Sequence, residues 1–301
     1  MSSRVVAVVG PTASGKSDLA VALARALGGE VVNADSMQLY AGMDIGTAKL
    51  TPTERRGVPH HLLDVWPVTE PASVAAYQDL ARRTVDDLLA RDRVPVVVGG
   101  SGLYVRAVLD DLRFPGTDAA VRSRLEGELA EYGAAALHAR LAELDPVAAG
   151  GILPSNGRRI VRALEVVELA GRFIPELPEH RYVHDTVQIG LAVPRVELDE
   201  HITRRVDRMW ERGLVEEVRR LETCGLRKGR TASRALGYAQ VLHLLTGEWT
   251  ADRARAETVR ATRRFARRQE SWFRHDPRIR WVPYDGKDLL DTVATLAGSR
   301  L

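Results

Sequence analysis

Gly10-Pro-Thr-Ala-Ser-Gly-Lys-Ser17 follows the β-branched run Val5–Val9 and opens an Ala/Leu-rich stretch, Ser17 to Leu27, that Gly28-Gly29 would stop. Strand, glycine-rich loop and helix in that order are the context that validates G-x-x-x-x-G-K-[ST] as a phosphate-binding loop. Gly10 and Gly15 let the backbone turn, so that N–H groups along Thr12, Ala13 and Ser14, in the loop opened by Pro11, converge on phosphate oxygens. Lys16 adds a point charge, and the helix start adds its partial positive end. The Ser17 hydroxyl is the expected Mg²⁺ ligand. The chain is therefore expected to hold a diphosphate or triphosphate.

Outward from the loop, short apolar runs alternate with helical stretches. A run buried on both faces of a parallel sheet is continuously apolar, as Val5–Val9 is. Glu30-Val-Val-Asn-Ala predicts a second strand ending at Asp35, residues 74–90 a helix, and Pro95–Val98 a third strand running into Gly99-Gly-Ser-Gly102. Such alternation predicts a doubly wound parallel sheet. From about Phe114 the texture changes to Ala, Leu, Glu and Arg, with helices over 122–144 and 160–169 and no strand until Val187–Val193. Long helices over 199–222 and 251–274, a last strand at 280–284 and a short terminal helix complete the pattern. The expected architecture is α/β: a P-loop NTPase-like parallel sheet core over 1–113 and 181–301, with a helical insertion domain over 114–180.

Bulk composition narrows the class without choosing a function. The 43 basic and 40 acidic residues leave a net charge of +3, so clustering matters more than the total. The lone Cys224 excludes an intrachain disulfide framework and a Cys-rich zinc site, which fits a reducing, cytoplasmic setting. No leader and no apolar run of about 20 residues predicts targeting or membrane insertion.

The loop alone would suggest a kinase or ATPase. A metal-binding aspartate should then end an apolar strand near the loop, but Pro95–Val98 ends in glycines, and Asp64 in His61-Leu-Leu-Asp64 is a poor substitute. Asp35 instead ends the second strand, where parallel sheets place ligand contacts. Its carboxylate suits a general base for another nucleophile, or a helix N-cap beside Ser36. His60-His61 has no supporting carboxylate or cysteine cluster for a metal. Met209 and Trp210 share helical spacing with Val206 and Leu214, as core residues do.

At this point several motifs in fixed order resemble the tRNA dimethylallyltransferases (tRNA isopentenyltransferases). They are Gly10–Ser17, Asp35-Ser-Met-Gln-Leu-Tyr40, Gly42-Met-Asp-Ile-Gly-Thr-Ala-Lys49, Gly99-Gly-Ser-Gly-Leu-Tyr104, Arg159–Val166, Gly213–Glu217, Leu236-Gly-Tyr238 and Thr262–Gln269 with Trp272-Phe273. The resemblance implies transfer of a dimethylallyl group from dimethylallyl diphosphate to N6 of the adenosine 3′-adjacent to the anticodon. The loop would grip the donor's diphosphate, with Mg²⁺, rather than ATP. Asp35 would be the base, Ser101 would contact the target nucleotide, and Arg234 would serve the diphosphate. Asp35, Ser36, Met37 and Gln38 would meet the target base in the tRNA anticodon stem-loop. Arg122, and Arg158, Arg159, Ile160, Val161 and Arg162, match tRNA-contacting positions or the stretch around them. Family habit implies a monomer. Two departures are Ser101, where the family has threonine, and Gly157, where it has aspartate.

Residues 260–274 carry six arginines against one glutamate. They predict either a solvated helix or a phosphate-binding face with aromatic neighbours; the resemblance favours RNA, with Arg267 as the representative contact. Rival readings are an enzyme that prenylates free adenine nucleotides, a small-metabolite kinase, and a non-catalytic RNA-binding protein.

Overall fold

The computed structural model describes residues 4–175 and 177–298; the outermost residues of the expected core lie outside these. Two compact units are present, residues 4–110 with 182–298, and residues 111–181.

The first unit is built on six parallel strands: β1 (Val5–Val9), β2 (Glu30–Asn33), β3 (His60–His61), β4 (Pro95–Gly99), β5 (Thr186–Ala192) and β6 (Ile279–Pro283), ordered β3-β2-β4-β1-β5-β6. All five residues of β1 are buried because strands flank it on both edges and helices cover both faces. The chain winds to one side of β1 through β2, β3 and β4, then crosses to build β5 and β6 on the other. That puts the topological switch point at the carboxyl end of β1, where open parallel sheets bind ligands. Val6, Val8, Val96, Ile189 and Leu191 pack with Leu19, Leu23 and Ala24 of α1 (Lys16–Leu27). Each such aliphatic side chain contributes roughly 1.5–3 kcal/mol on full burial.

Helix α1 starts on Gly15 at φ 86° and stops on Gly28 at φ 62°, both left-handed positions where a Cβ would be strained. Helix α2 (Val74–Ala90) is capped by Ser73, whose hydroxyl accepts the Ala76 N–H. The glycine-rich run after β4 does more than end a strand, since α3 (Gly102–Leu109) begins inside it.

The second unit consists of α4 (Ala119–Leu144), broken in direction at Gly133, then α5 (Pro146–Gly150) and α6 (Gly157–Ala170). Leu125, Leu137, Leu141, Ile160, Val161 and Leu164 form its core.

Back in the first unit, the helix expected over 199–222 is two helices, α7 (Arg195–Glu211) and α8 (Leu214–Thr223). Gly213 separates them at φ 92°, a turn that no other L-residue makes cheaply. Helix α9 (Tyr238–Leu245) and α10 (Ala251–Arg274) follow, and α11 (Leu289–Leu296) closes the sheet's far side against α1. Among the described residues, no helix is long and apolar enough to cross a membrane.

Candidate functional site: a phosphate loop facing a lone carboxylate

The loop between β1 and α1 takes up positive φ at Gly10, Ala13 and Gly15. Ala13 does so without glycine's freedom; it packs with Leu198 and Ile202 of α7 and Ala266 of α10, which hold it there. Among the described residues no protein acceptor takes the N–H groups of Ala13, Ser14 or Gly15, and the Ser14 hydroxyl is buried without a partner. A buried hydroxyl is rarely left unmatched, so the orphaned Ser14 Oγ, with the free N–H groups beside it, fits the oxygens of an anion. Lys16 Nζ donates to the Pro11 carbonyl at 3.0 Å. Burial, then the nearby Arg205 charge, pull its pKa down to about 8, against the opposing charge of Asp35. Three ionisable groups therefore share one field: Lys16, Asp35 and Arg205.

Asp35 leaves the end of β2 through a local turn. Its N–H donates to Asn33 Oδ1 at 2.9 Å, and Asn33 Nδ2 donates to the Asp35 carbonyl at 3.0 Å and the Leu62 carbonyl at 3.0 Å. One carboxylate oxygen, Oδ1, accepts the Met37 N–H at 2.9 Å. That is the capping role, realised on a turn rather than on a helix. Among the described residues Oδ2 has no hydrogen-bond partner, so capping leaves one oxygen of the carboxylate unengaged. Ser101 stands at the start of α3, its Oγ 3.3 Å from Ser36 Oγ and accepting the Ser36 N–H at 3.4 Å. The loops after β1, β2 and β4 thus meet at the switch point.

The strand-borne metal aspartate is absent for a steric reason. A Cβ at Gly99 would overlap the Ala34 carbonyl, so β4 has no room for a side chain there. Asp64 is committed elsewhere: its Oδ1 accepts from Lys49 Nζ at 2.6 Å. His60 and His61 lie on the edge strand β3, bonded to the Val58 carbonyl at 2.9 Å and to Glu30 Oε2 at 2.6 Å. No group of three or more His, Cys, Asp or Glu able to hold a metal occurs among the described residues. Ser17 and phosphate oxygens remain as the donors that suit a hard cation.

Sequence reasoning missed several residues that build this site. Arg205 on α7 donates to the Thr47 carbonyl at 3.2 Å, the same oxygen that takes Gln38 Nε2 at 3.2 Å. The turn leading into Thr47 is held by buried Glu217, whose carboxylate accepts the N–H groups of Asp44, Ile45 and Gly46 and the Tyr238 hydroxyl at 2.6 Å. A Cβ at Gly46 would overlap the Tyr238 ring. Three separate motifs of the resemblance are therefore one structural clasp. The available signal was a polar residue on an apolar helix face: Glu217 sits among Leu214, Val218 and Leu221.

The remaining expected residues fall into distinct environments. Met37 packs at the edge of the cluster around Tyr40 and Tyr238. Arg234 is exposed on a short turn, with no carboxylate within 4 Å among the described residues. In the second unit, Arg122 and Arg162 both bind Glu165, which is fully buried. Burial alone would raise the Glu165 pKa, yet donors from Arg122, Thr117, Arg162 and the Asp118 N–H hold it at about 2. Arg159 donates to the Pro175 carbonyl, and Arg158 is exposed. Ile160 and Val161, 0% and 3% exposed, point into the unit's core, so their side chains are not a surface for RNA. On α10, Arg260, Arg263 and Arg274 have carboxylate partners, whereas Arg264, Arg267 and Arg268 have none among the described residues. Phe273 is core, but Trp272 is 42% exposed.

A loop of orphan donors at the switch point, faced by a half-free carboxylate with Arg205 nearby, is the arrangement expected of a phosphate-binding group-transfer protein. A family model described as IPP transferase matches residues 38–276, and the chain belongs to that family. It is 68% identical over 300 residues to a tRNA dimethylallyltransferase of Thermobifida fusca (strain YX), covering 98% of this chain and 94% of the relative. The solved tRNA isopentenylpyrophosphate transferase of Bacillus halodurans is similar at TM-score 0.72 and 40% identity, covering 98% and 97% of the two chains. A eukaryotic dimethylallyltransferase acting on tRNA matches at TM-score 0.83 and 25% identity, covering 99% of this chain and 78% of that one.

Proposed function

We propose that the protein transfers the dimethylallyl group of dimethylallyl diphosphate to N6 of the adenosine 3′-adjacent to the anticodon of tRNA, giving N6-dimethylallyladenosine and diphosphate. The observation that carries this reading is the pairing of an orphan-donor phosphate loop with Asp35, whose Oδ2 is unpartnered, and the steric exclusion of a metal aspartate at Gly99. The names of the relatives support the same reaction.

In this reading the loop holds the leaving group. N–H groups of residues 13–15, the Ser14 hydroxyl and Lys16 receive the negative charge that gathers on the departing diphosphate. Arg205 and Arg234 add positive charge at its rim. Mg²⁺, held by Ser17 and the diphosphate's own oxygens, would neutralise further charge there. The adenine amine is a weak nucleophile, and Asp35 Oδ2 accepts its proton as the new C–N bond forms. Ser101 and Ser36 fix the base edge, which must leave the anticodon stack to reach the site. Arg158, Arg264, Arg267 and Arg268 are available to RNA phosphates without breaking an existing ion pair. The protein works as a cytoplasmic monomer.

The test is to incubate the purified protein with Mg²⁺, dimethylallyl diphosphate and an anticodon stem-loop, then digest the RNA to nucleosides for mass spectrometry. N6-dimethylallyladenosine in the RNA is the expected result. Product from free AMP with none from the RNA would replace tRNA by a mononucleotide acceptor.

A further inference from the structure

Helix α10 reaches the site with one uncharged polar side chain. Its core-facing positions are Ala254, Thr258, Ala261, Thr262, Ala266, Gln269 and Phe273, the i, i+3, i+4 stripe of a packed helix. Gln269 is buried on that stripe, and both ends of its amide are used. Its Oε1 accepts the Thr12 N–H at 2.9 Å, and its Nε2 donates to the Gly100 carbonyl at 2.8 Å. The two partners have opposite polarity, so one amide orientation alone satisfies both. A Cβ at Gly100 would overlap the Gln269 amide, and a Cβ at Gly102 would overlap the Trp272 indole one turn further along α10. Two α10 side chains thus close on the glycines either side of Ser101.

We propose that Gln269 is a positioning residue that sets the spacing between the phosphate loop and the Ser101 segment, and with it the spacing between donor and acceptor. This rests on the function proposed above. One amide joins the Thr12 backbone, beside the orphan donors for the leaving group, to the Gly100 backbone, beside the hydroxyl that meets Ser36 and so borders Asp35. Trp272, one turn along the same helix, limits the segment at Gly102. A shift of either anchor alters the line along which the amine meets the allylic carbon, and misplacement of that kind costs rate far more than ground-state binding.

The experiment is a double-mutant cycle of Gln269→Leu with Ser101→Ala, read as kcat and KM on the anticodon stem-loop well below each variant's melting temperature. Gln269→Leu is expected to lower kcat by about 10-fold or more. In the Ser101→Ala background the same change should cost much less, because its effect passes through Ser101. Losses that multiply independently, or an unchanged kcat, overturn the proposal. Gln269→Glu covers the case in which the leucine variant does not fold. It keeps the acceptor for Thr12 but not the donor to Gly100, so inorganic diphosphate binding should persist while kcat falls. A glutamate variant with unaltered kcat also overturns it. Absence of dimethylallyl product from the unsubstituted protein would instead refute the proposed function.

Discussion

The two units differ in how they treat the side chains expected to bind substrate. In the sheet unit, long-range bonds fix the backbone around the site and leave key polar atoms unmatched: Ser14 Oγ, one oxygen of Asp35, and the guanidinium groups of Arg264, Arg267 and Arg268. In the helical unit the arginines are mostly committed. Arg122 and Arg162 neutralise buried Glu165, while Arg124 and Arg140 both bridge Glu128 and Glu168. Seven of the ten most exposed large hydrophobics, including Tyr132, Val147 and Leu153, nonetheless lie within residues 111–181. Positive charge in a sequence therefore does not measure positive charge on offer. What counts is whether a carboxylate already holds it.

The largest effect that sharpens this contrast belongs to Asp35. Asp35→Ala should lower kcat by about 10²–10⁴-fold while RNA affinity stays nearly unchanged; a variant with normal kcat would remove Asp35 from the base role. Glu217→Ala comes next and acts on stability. It leaves three part-buried N–H groups and a buried tyrosine hydroxyl without their acceptor, at about 1 kcal/mol each. A loss of about 3–5 kcal/mol in denaturant unfolding is expected, and a midpoint shift near zero would contradict the clasp.

How much of this was legible in the sequence depended on distance along the chain. The strand over Val5–Val9, the helices over 74–90 and 251–274 and the phosphate loop were readable because each is specified by its own residues. The position of Asp35 beyond the carboxyl end of β2 was readable from the apolar run before it, although the strand ends at Asn33 rather than at Asp35. The break at Gly213 was missed, since the apolar spacing of Val206, Met209 and Leu214 runs straight through it and only the backbone angle reveals it. Glu217, Arg205 and Gln269 were missed because each bonds backbone 158 to 257 residues away. No local period carries that information. The arginines of 260–274 were partly readable: Glu257 and Glu270 lie one helical turn from Arg260 and Arg274, whereas the Asp199 partner of Arg263 lies far away in sequence.

A third effect follows from the Lys16 pKa. Folding lowers it from 10.5 to about 8, so the charged form predominates below about pH 8 and is lost as pH rises through that value. The Lys16-dependent part of the affinity for inorganic diphosphate should fall as pH rises above 8, and Lys16→Arg should move that falling limb to higher pH. An identical limb in both proteins would assign it to another group. The smallest effect separates the two arginine sets directly. Arg267→Ala should reduce the salt slope of RNA binding by about one, since an unpaired guanidinium releases counterions. Arg122→Ala should change that slope less and instead lower the melting temperature, because it strips a partner from buried Glu165. Equal slopes for the two variants would erase the distinction between held and available charge.

The central claim is that the loop grips what departs, not a nucleotide cofactor. Counting phosphates tests this most directly. With dimethylallyl diphosphate and anticodon stem-loop RNA, one diphosphate should be released for each modified adenosine, and ATP in place of the prenyl donor should yield no orthophosphate. RNA-stimulated release of orthophosphate from ATP, or prenyl transfer without stoichiometric diphosphate, would contradict the account.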